Sequence, residues 1–294
     1  MIHESGAFRI VRCQTCAFVH ATPLPTPAEL ERTYRHDYYA TEKPLYIERY
    51  LEDRVWWDLV HDDRIDDLES VVGSGRRLLD IGSGPGLMIE RARSRGWEAV
   101  GIEPSAQAAA HSRAQGLTVV EEFLDERTAT ALGRFDAIHA AAVLEHVPDP
   151  AAMVRLMRGV LRPGGALLVV APNDENPFQH AAIHGGRLHP WWIAPPHHLN
   201  YFTPDSLAAL VTRSGFAVVE MSTSFPIDQF LLMGDRYVGD DELGRAVHKR
   251  RMAFELALKA AGKNDLRRDL YRAQAALGIG REISVLARSA ERPA

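Results

Sequence analysis

Through the middle of the chain, short apolar runs alternate with amphipathic stretches. The runs at 77–81, 98–102, 135–141 and 166–171 have the length and continuity of strands buried on both faces. Between them, segments at about 87–95, 105–115 and 150–160 repeat apolar residues at helical spacing. This alternation predicts an α/β fold with a mostly parallel sheet and helices on both faces. Further on, Thr203-Pro204-Asp205 supplies an N-cap, a proline at the first helical position and an acid in the first turn. That helix runs through Leu207, Leu210 and Val211 to Gly215. Strands follow at 216–222 and 282–287, the last one antiparallel.

The flanks read differently. Residues 1–27 look irregular, with Pro23, Pro25 and Pro27 ending a short strand-like run. Over 28–72, Ile47, Tyr50, Leu51, Val55, Leu59, Ile65, Leu68 and Val72 fall near helical spacing. The acids between them, Asp62, Asp63, Asp66 and Asp67, predict a solvated helix face. Residues 1–72 are therefore expected to form a helical N-terminal arm, and 73–294 the main domain. A helical insert at about 226–280 precedes the last strand. It carries one apolar stripe of Leu243, Val247, Phe254, Leu258 and Ala261, and a second of Leu266, Leu270, Ala273 and Leu277. Those stripes need cover, either as a lid over a pocket of the main domain or in a homodimer through the insert. Its basic residues, His248-Lys249-Arg250-Arg251 and Arg267-Arg268, suit a solvated face; an anionic-ligand or RNA surface is the alternative.

Composition narrows the class. The chain has 294 residues, 46% apolar and 25% charged, with a formal charge of -5. This excludes wholesale disorder and argues against a general nucleic-acid binder. No apolar stretch approaches the ~18 residues of a membrane span. The start, MIHESGAF, lacks the basic and apolar regions of a secretory signal. The default compartment is the cytoplasm.

The chemistry concentrates in Leu78-Leu79-Asp80-Ile81-Gly82-Ser83-Gly84-Pro85-Gly86, which ends a strand and opens a helix. Alternate glycines permit a tight turn and close approach of a ligand. The dinucleotide pattern G-x-G-x-x-G fails, because Leu87 occupies its last position. Asp80 would repel a pyrophosphate and suits a ligand bearing a positive amine or sulfonium. Glu103, at the end of the second strand, is placed to accept both hydroxyls of a ribose. These motifs resemble the class I methyltransferases that use S-adenosylmethionine (SAM). The resemblance extends through Arg134–His139, Leu144-Glu145-His146-Val147-Pro148-Asp149-Pro150 and Leu161-Arg162-Pro163-Gly164-Gly165. It implies a Rossmann-like sheet and SAM as cofactor. Gly82, Ser83, Gly84 and Gly86 would pass beside its methionine moiety, and Asp80 would help hold the ammonium. Glu103 would bind the ribose, Pro104 and Ser105 would flank the adenine, and Phe123 and Leu124 would cover its other face.

The acceptor side is expected in Pro195-Pro196-His197-His198-Leu199-Asn200-Tyr201-Phe202, at the carboxyl end of the sheet. A similar run in deoxysugar C-methyltransferases has an acid–His pair. His198 matches that histidine and is the candidate general base; His197 replaces the acid. Trp191 and Trp192 would pack over a substrate or cap the core. His180 and His184 have the spacing of two metal ligands on a helix, but Gly185, Gly186 and Pro190 favour a loop, and no metal is expected there. Cys13-x-x-Cys16 is a single zinc knuckle whose second half never appears. His3, His20 and His36 are the residues available to complete it, and the pair is read as a relict without metal. Tyr34, Tyr38 and Tyr39 match tyrosines that reach the cofactor cleft in similar enzymes, or serve as sheet anchors. The expected function is methyl transfer from SAM to a small polar metabolite such as a sugar, glycan precursor or natural-product intermediate. An RNA or protein methyltransferase and a non-catalytic SAM-fold subunit are the alternatives. The aromatic Asn-Pro-Pro-Tyr loop that receives flipped bases is absent; Ala171-Pro172-Asn173-Asp174 closes the fifth strand instead.

Overall fold

The computed structural model describes residues 2–42, 44–184 and 188–290. The loop expected at Gly185-Gly186 lies outside the described residues. The chain opens with an antiparallel meander of β1 (His3–Ser5), β2 (Phe8–Arg12) and β3 (Val19–Thr22). Helix α1 (Pro27–Arg32) continues into a wide-turn helical stretch, Thr33–Glu42, before α2 (Tyr46–Glu52) and α3 (Arg54–Val72). The alternating part comprises β4 (Arg77–Ile81), α4 (Leu87–Ser94), β5 (Glu98–Ile102), α5 (Ala106–Ala114), β6 (Val119–Val120), α6 (Glu126–Leu132), β7 (Phe135–Ala141), α7 (Pro150–Val160) and β8 (Leu161–Pro172). Then come α8 (Pro177–Ile183), β9 (Asn200–Tyr201), α9 (Pro204–Arg213) and β10 (Phe216–Thr223). Helices α10 (Gln229–Leu232), α11 (Asp241–Ala260) and α12 (Asn264–Ala276) lead to β11 (Glu282–Ser289).

Seven strands form the main sheet in the order β10-β11-β8-β7-β4-β5-β6. Six run in one direction; only β11, inserted between β8 and β10, runs against them. Successive strand residues face opposite layers. Leu79, Ile138, Leu167 and Val169 pack on one side with Val154 of α7 and Leu207 of α9. Leu78, Ala137, Leu168 and Val170 pack on the other with Ile65 and Leu68 of α3 and Met88 of α4. Thr203 caps α9 as expected, with a capping box to Ser206.

Four expectations need correction. The irregular 1–27 region is a meander that recruits β9 into a small second sheet, β1-β2-β3-β9; strands of three to five residues carry too little alternation to announce themselves. Residues 177–183 are helical, not loop, because Asn176 and Gln179 form a capping box around Pro177. On α3 the buried face is not wholly apolar: Trp56, His61 and Arg64 are buried beside Leu59, Ile65 and Leu68, while Val55 is 70% exposed. Finally, the insert turns its charged face inward. Arg251, Glu255, Arg267 and Tyr271 are buried, while Leu243, Phe254, Leu266, Leu270 and Leu277 are exposed.

The reason for this inversion is charge pairing across α3. Arg267 bonds Asp63, and Arg268 bonds Asp67 and lies 3.3 Å from Asp63. Arg245 bonds Asp53, and His248 reaches the same carboxylate at 3.1 Å. Asp62 pairs with Arg91 at 2.6 Å. Of the four acids predicted to be solvated, only Asp66 is exposed. Residues such as Arg267 and Arg268, read as a candidate RNA surface, are thus occupied by the acid run. Among the described residues no helix is long and apolar enough to cross a membrane.

Candidate functional site

The turn from β4 to α4 carries Gly82, Ser83, Gly84 and Pro85 into a large cavity at the carboxyl ends of the strands. Gly84 adopts φ +51, and a Cβ there would crowd the Tyr39 hydroxyl at 3.1 Å, so a side chain at this position would be strained and tightly packed. Gly86 stands behind this turn at the start of α4, where a Cβ would strike Leu117 and Ser112. It packs against these two residues and does not line the cavity.

Glu103 directly follows β5, beneath the turn. Its carboxylate accepts from the Gly84 N–H at 2.9 Å and from the Ser105 N–H at 2.9 Å, one on each oxygen. Burial pushes its pKa up to about 7, against the pull of those two bonds. Each oxygen keeps a lone pair for a further donor. Pro104, Phe123 and Leu124 line the same cavity, and the Arg35 guanidinium sits 5.2 Å over the Phe123 ring. Ser105 departs from expectation: its hydroxyl caps α5, so only its N–H serves the site.

Asp80, at the end of β4, is buried and lines the cavity. Its Oδ1 lies 2.7 Å from His139 Nδ1, and His139 Nε2 lies 3.3 Å from Arg64 Nη1. A guanidinium can only donate, so His139 accepts at Nε2 and donates from Nδ1 to Asp80. Burial lowers the His139 pKa, which agrees with this neutral form. The sequence reading missed this relay. Its signal was a polar stripe on one face of α3, Trp57-x3-His61-x2-Arg64, all of which lines the cavity.

The arm closes the cavity from above. Tyr34, Tyr38 and Tyr39 from the wide-turn stretch line it with Tyr46 and Tyr50 of α2. Tyr50 bonds His61 at 2.9 Å. Burial raises the pKa of the Tyr34, Tyr39, Tyr46 and Tyr50 phenols.

The acceptor loop is docked by its backbone. Leu199 N–H and Asn200 N–H donate to the Glu145 carbonyl at 2.7 and 3.1 Å, and the Asn200 side chain donates to the carbonyls of Leu144 and Val147. This brings His198 to His146, ring centroids 5.1 Å apart and nearly perpendicular. The imidazole that lines the cavity is His146; the expected base, His198, stands one ring behind it. His146 Nδ1 lies 2.7 Å from the His197 carbonyl, and its Nε2 lies 3.8 Å from Glu145 Oε1. Burial lowers the His146 pKa to about 4 and raises that of the Glu145 carboxyl to about 8. Trp192 is buried with Ile10, Val19, Ala21 and Tyr201, so it caps the small sheet rather than a substrate.

The cavity volume is about 1380 Å³. Single-ligand pockets are typically ~300–1,000 Å³, so this one has room for a cofactor and an acceptor together. A glycine-rich cradle, a buried acid with free lone pairs beneath it, and the Arg64–His139–Asp80 relay fit SAM. The sheet order and this site define a class I SAM-dependent methyltransferase.

The comparisons with known proteins agree. The chain belongs to the methyltransferase-domain family, whose model matches residues 56–221. A ubiquinone biosynthesis O-methyltransferase of Aeromonas salmonicida is 28% identical over 187 residues, covering 57% of this chain and 78% of that protein. One from Cereibacter sphaeroides is 34% identical over 154 residues, which is 50% of this chain and 62% of the relative's length. Among solved structures, a magnesium protoporphyrin IX methyltransferase from Synechocystis with bound S-adenosylhomocysteine shares the fold at 12% identity. Its TM-score is 0.54, covering 87% of this chain and 98% of that one. A SAM-dependent methyltransferase from Archaeoglobus fulgidus does so at 16% identity and TM-score 0.51, covering 82% and 99%.

Proposed function

We propose that the enzyme methylates a hydroxyl of a small molecule, with His146 taking the proton. The observation that carries this is the position of His146 on the cavity wall, with Nδ1 held by the His197 carbonyl and Nε2 left as an acceptor. Asp80 and Arg64 would hold the charged ends of the methionyl group, Glu103 the ribose, and Phe123 with Leu124 an adenine face. The cofactor supplies an electrophilic methyl; the protein aligns an oxygen with it and removes that oxygen's proton. His198 acts as a positioning residue, its ring packed against His146.

The acceptor is small and carries an apolar body. Away from the glycine turn, the cavity runs between Leu24, Pro25 and Leu30 of the arm and Val147, Met153 and Leu156 beside and along α7. Such walls suit an aromatic or alicyclic hydroxyl better than the sugar expected from the acceptor loop. The names of the O-methyltransferase relatives support the same reading. Methyl-labelled SAM, incubated with the enzyme and fractionated cell extract, tests it. Label is expected in a low-molecular-weight, organic-extractable fraction. Label in RNA or protein instead would sink the proposal.

A further inference from the structure

Read alone, Cys13-x-x-Cys16 is half a knuckle. The fold adds a third donor. The sulfurs of Cys13 and Cys16 and a ring nitrogen of His20 all lie within 4.8 Å of one another, each residue half-buried. We propose that these three residues bind one zinc ion, with water as the fourth ligand, and that the ion stiffens the β2–β3 hairpin against which the acceptor loop pairs.

Three features of the turn between β2 and β3 support this. First, the donors nearly have the spacing zinc needs. Zn–S bonds of ~2.3 Å and Zn–N bonds of ~2.0 Å put tetrahedral ligand atoms about 3.3–3.8 Å apart, so small rotations of the side chains close the set. Second, the backbone is already shaped for a thiolate. Cys16 N–H points at Cys13 Sγ, 3.3 Å away, in a turn closed by Ala17 N–H to the Cys13 carbonyl and Cys13 N–H to the Phe18 carbonyl. Ala17 takes φ +64 to make that turn. Third, His20 Nδ1 lies 3.0 Å from the Ala21 carbonyl. A carbonyl only accepts, so Nδ1 carries the proton and Nε2 is free to ligate. A metal-bound histidine is normally oriented through its other nitrogen in this way.

The place of the site gives it a consequence. His20 pairs with Asn200 of β9, and Ala21 N–H donates to the Leu199 carbonyl at 2.8 Å. Arg213 of α9 donates to the Cys16 carbonyl at 2.8 Å. The ion would therefore stiffen the hairpin on which β9, next to His198, is paired. With three protein ligands and a half-exposed setting, the ion would be removable by chelators without harsh treatment.

Elemental analysis of the untagged full chain, purified without chelator, tests this directly. One zinc per chain is expected, removed by chelator with a drop in the thermal midpoint and restored by zinc. Cobalt added to the stripped wild type should give intense thiolate-to-metal absorption, a readout that does not depend on any variant folding. His20→Ala should weaken zinc affinity by more than about tenfold. Glu145→Gln, in a separate Glu145–His146–His198 cluster, should leave it unchanged. The proposal fails if stripped wild type takes up no zinc at micromolar concentration. It fails equally if stoichiometric zinc persists in the Cys13→Ser/Cys16→Ser double variant, or if the cobalt spectrum lacks thiolate bands.

Discussion

His146 donates its Nδ1 proton to the backbone carbonyl of His197, 2.7 Å away, and the Tyr34 hydroxyl donates to the same oxygen at 3.2 Å. One carbonyl of the acceptor loop thus fixes the imidazole and the arm together. The tautomer follows: Nε2 is unprotonated and available as a base.

His146→Ala is expected to lower turnover by about 10²–10⁴-fold with cofactor affinity nearly unchanged. His198→Ala should have the smaller effect, because its ring stands behind His146. Single-turnover rates with an acceptor found by the labelling experiment compare the two. A larger loss in His198→Ala would return the base to that residue.

Binding of the cofactor should titrate. Glu103, raised to about 7 by burial, accepts ribose hydroxyls best when ionised. Affinity for S-adenosylhomocysteine should therefore fall as pH drops below about 7, with proton release on binding at pH 6. Calorimetry in buffers of different ionisation enthalpy reads that release. Its absence in the wild type, or its persistence in Glu103→Gln, would count against the assignment.

Stability should depend on pH through buried groups of both kinds. Burial raises Glu145 to about 8 and Asp174 to about 7, so their contribution is full below the unfolded value of ~4.3 for Glu and ~3.9 for Asp and is lost as pH rises through 7–8. Burial lowers His146 and His248 to about 4, so theirs is full above ~6.5 and lost as pH falls toward 4. Of these four groups only the acids act above ~6.5, and they should pull the thermal midpoint down from pH 6.5 to 8. Glu145→Gln should flatten that decline; a rising midpoint over the same interval would contradict it.

The insert is held by buried charge, so removing one partner should be costly. Arg267 is 2% exposed and lies between Asp63 and Glu255. Arg267→Ala should destabilise by about 3–5 kcal/mol, seen as a lower denaturant midpoint with an unchanged slope. Phe254→Ala, on the exposed stripe, should cost far less in a monomer. A large, concentration-dependent cost there would place that stripe in a dimer interface.

The sheet was legible because buried parallel strands are continuous apolar runs, and the cofactor turn because its glycines and acids lie close together in sequence. Asp80, Gly82, Gly84, Glu103, Phe123 and Leu124 all reach the cavity. What escaped depends on distant pairing. The Arg64–His139–Asp80 relay joins three elements, and its members look like ordinary polar residues until α3 is laid across the sheet. The insert was misread for a related reason. Its apolar stripe suggested the buried face, but acids on α3, about two hundred positions away, outbid it for Arg267 and Arg268. His198 was placed by its neighbours in sequence, whereas the cavity wall at that point is set by the loop after β7.

The most direct test of the account is calorimetric titration of the full chain with S-adenosylhomocysteine, in parallel with Glu103→Ala. The account predicts one site of micromolar affinity in the wild type. In the variant it predicts a loss of about 1.5–3 kcal/mol as two hydroxyls lose a charged acceptor. A folded wild type that binds nothing, or a Glu103→Ala variant that binds as tightly, would contradict it.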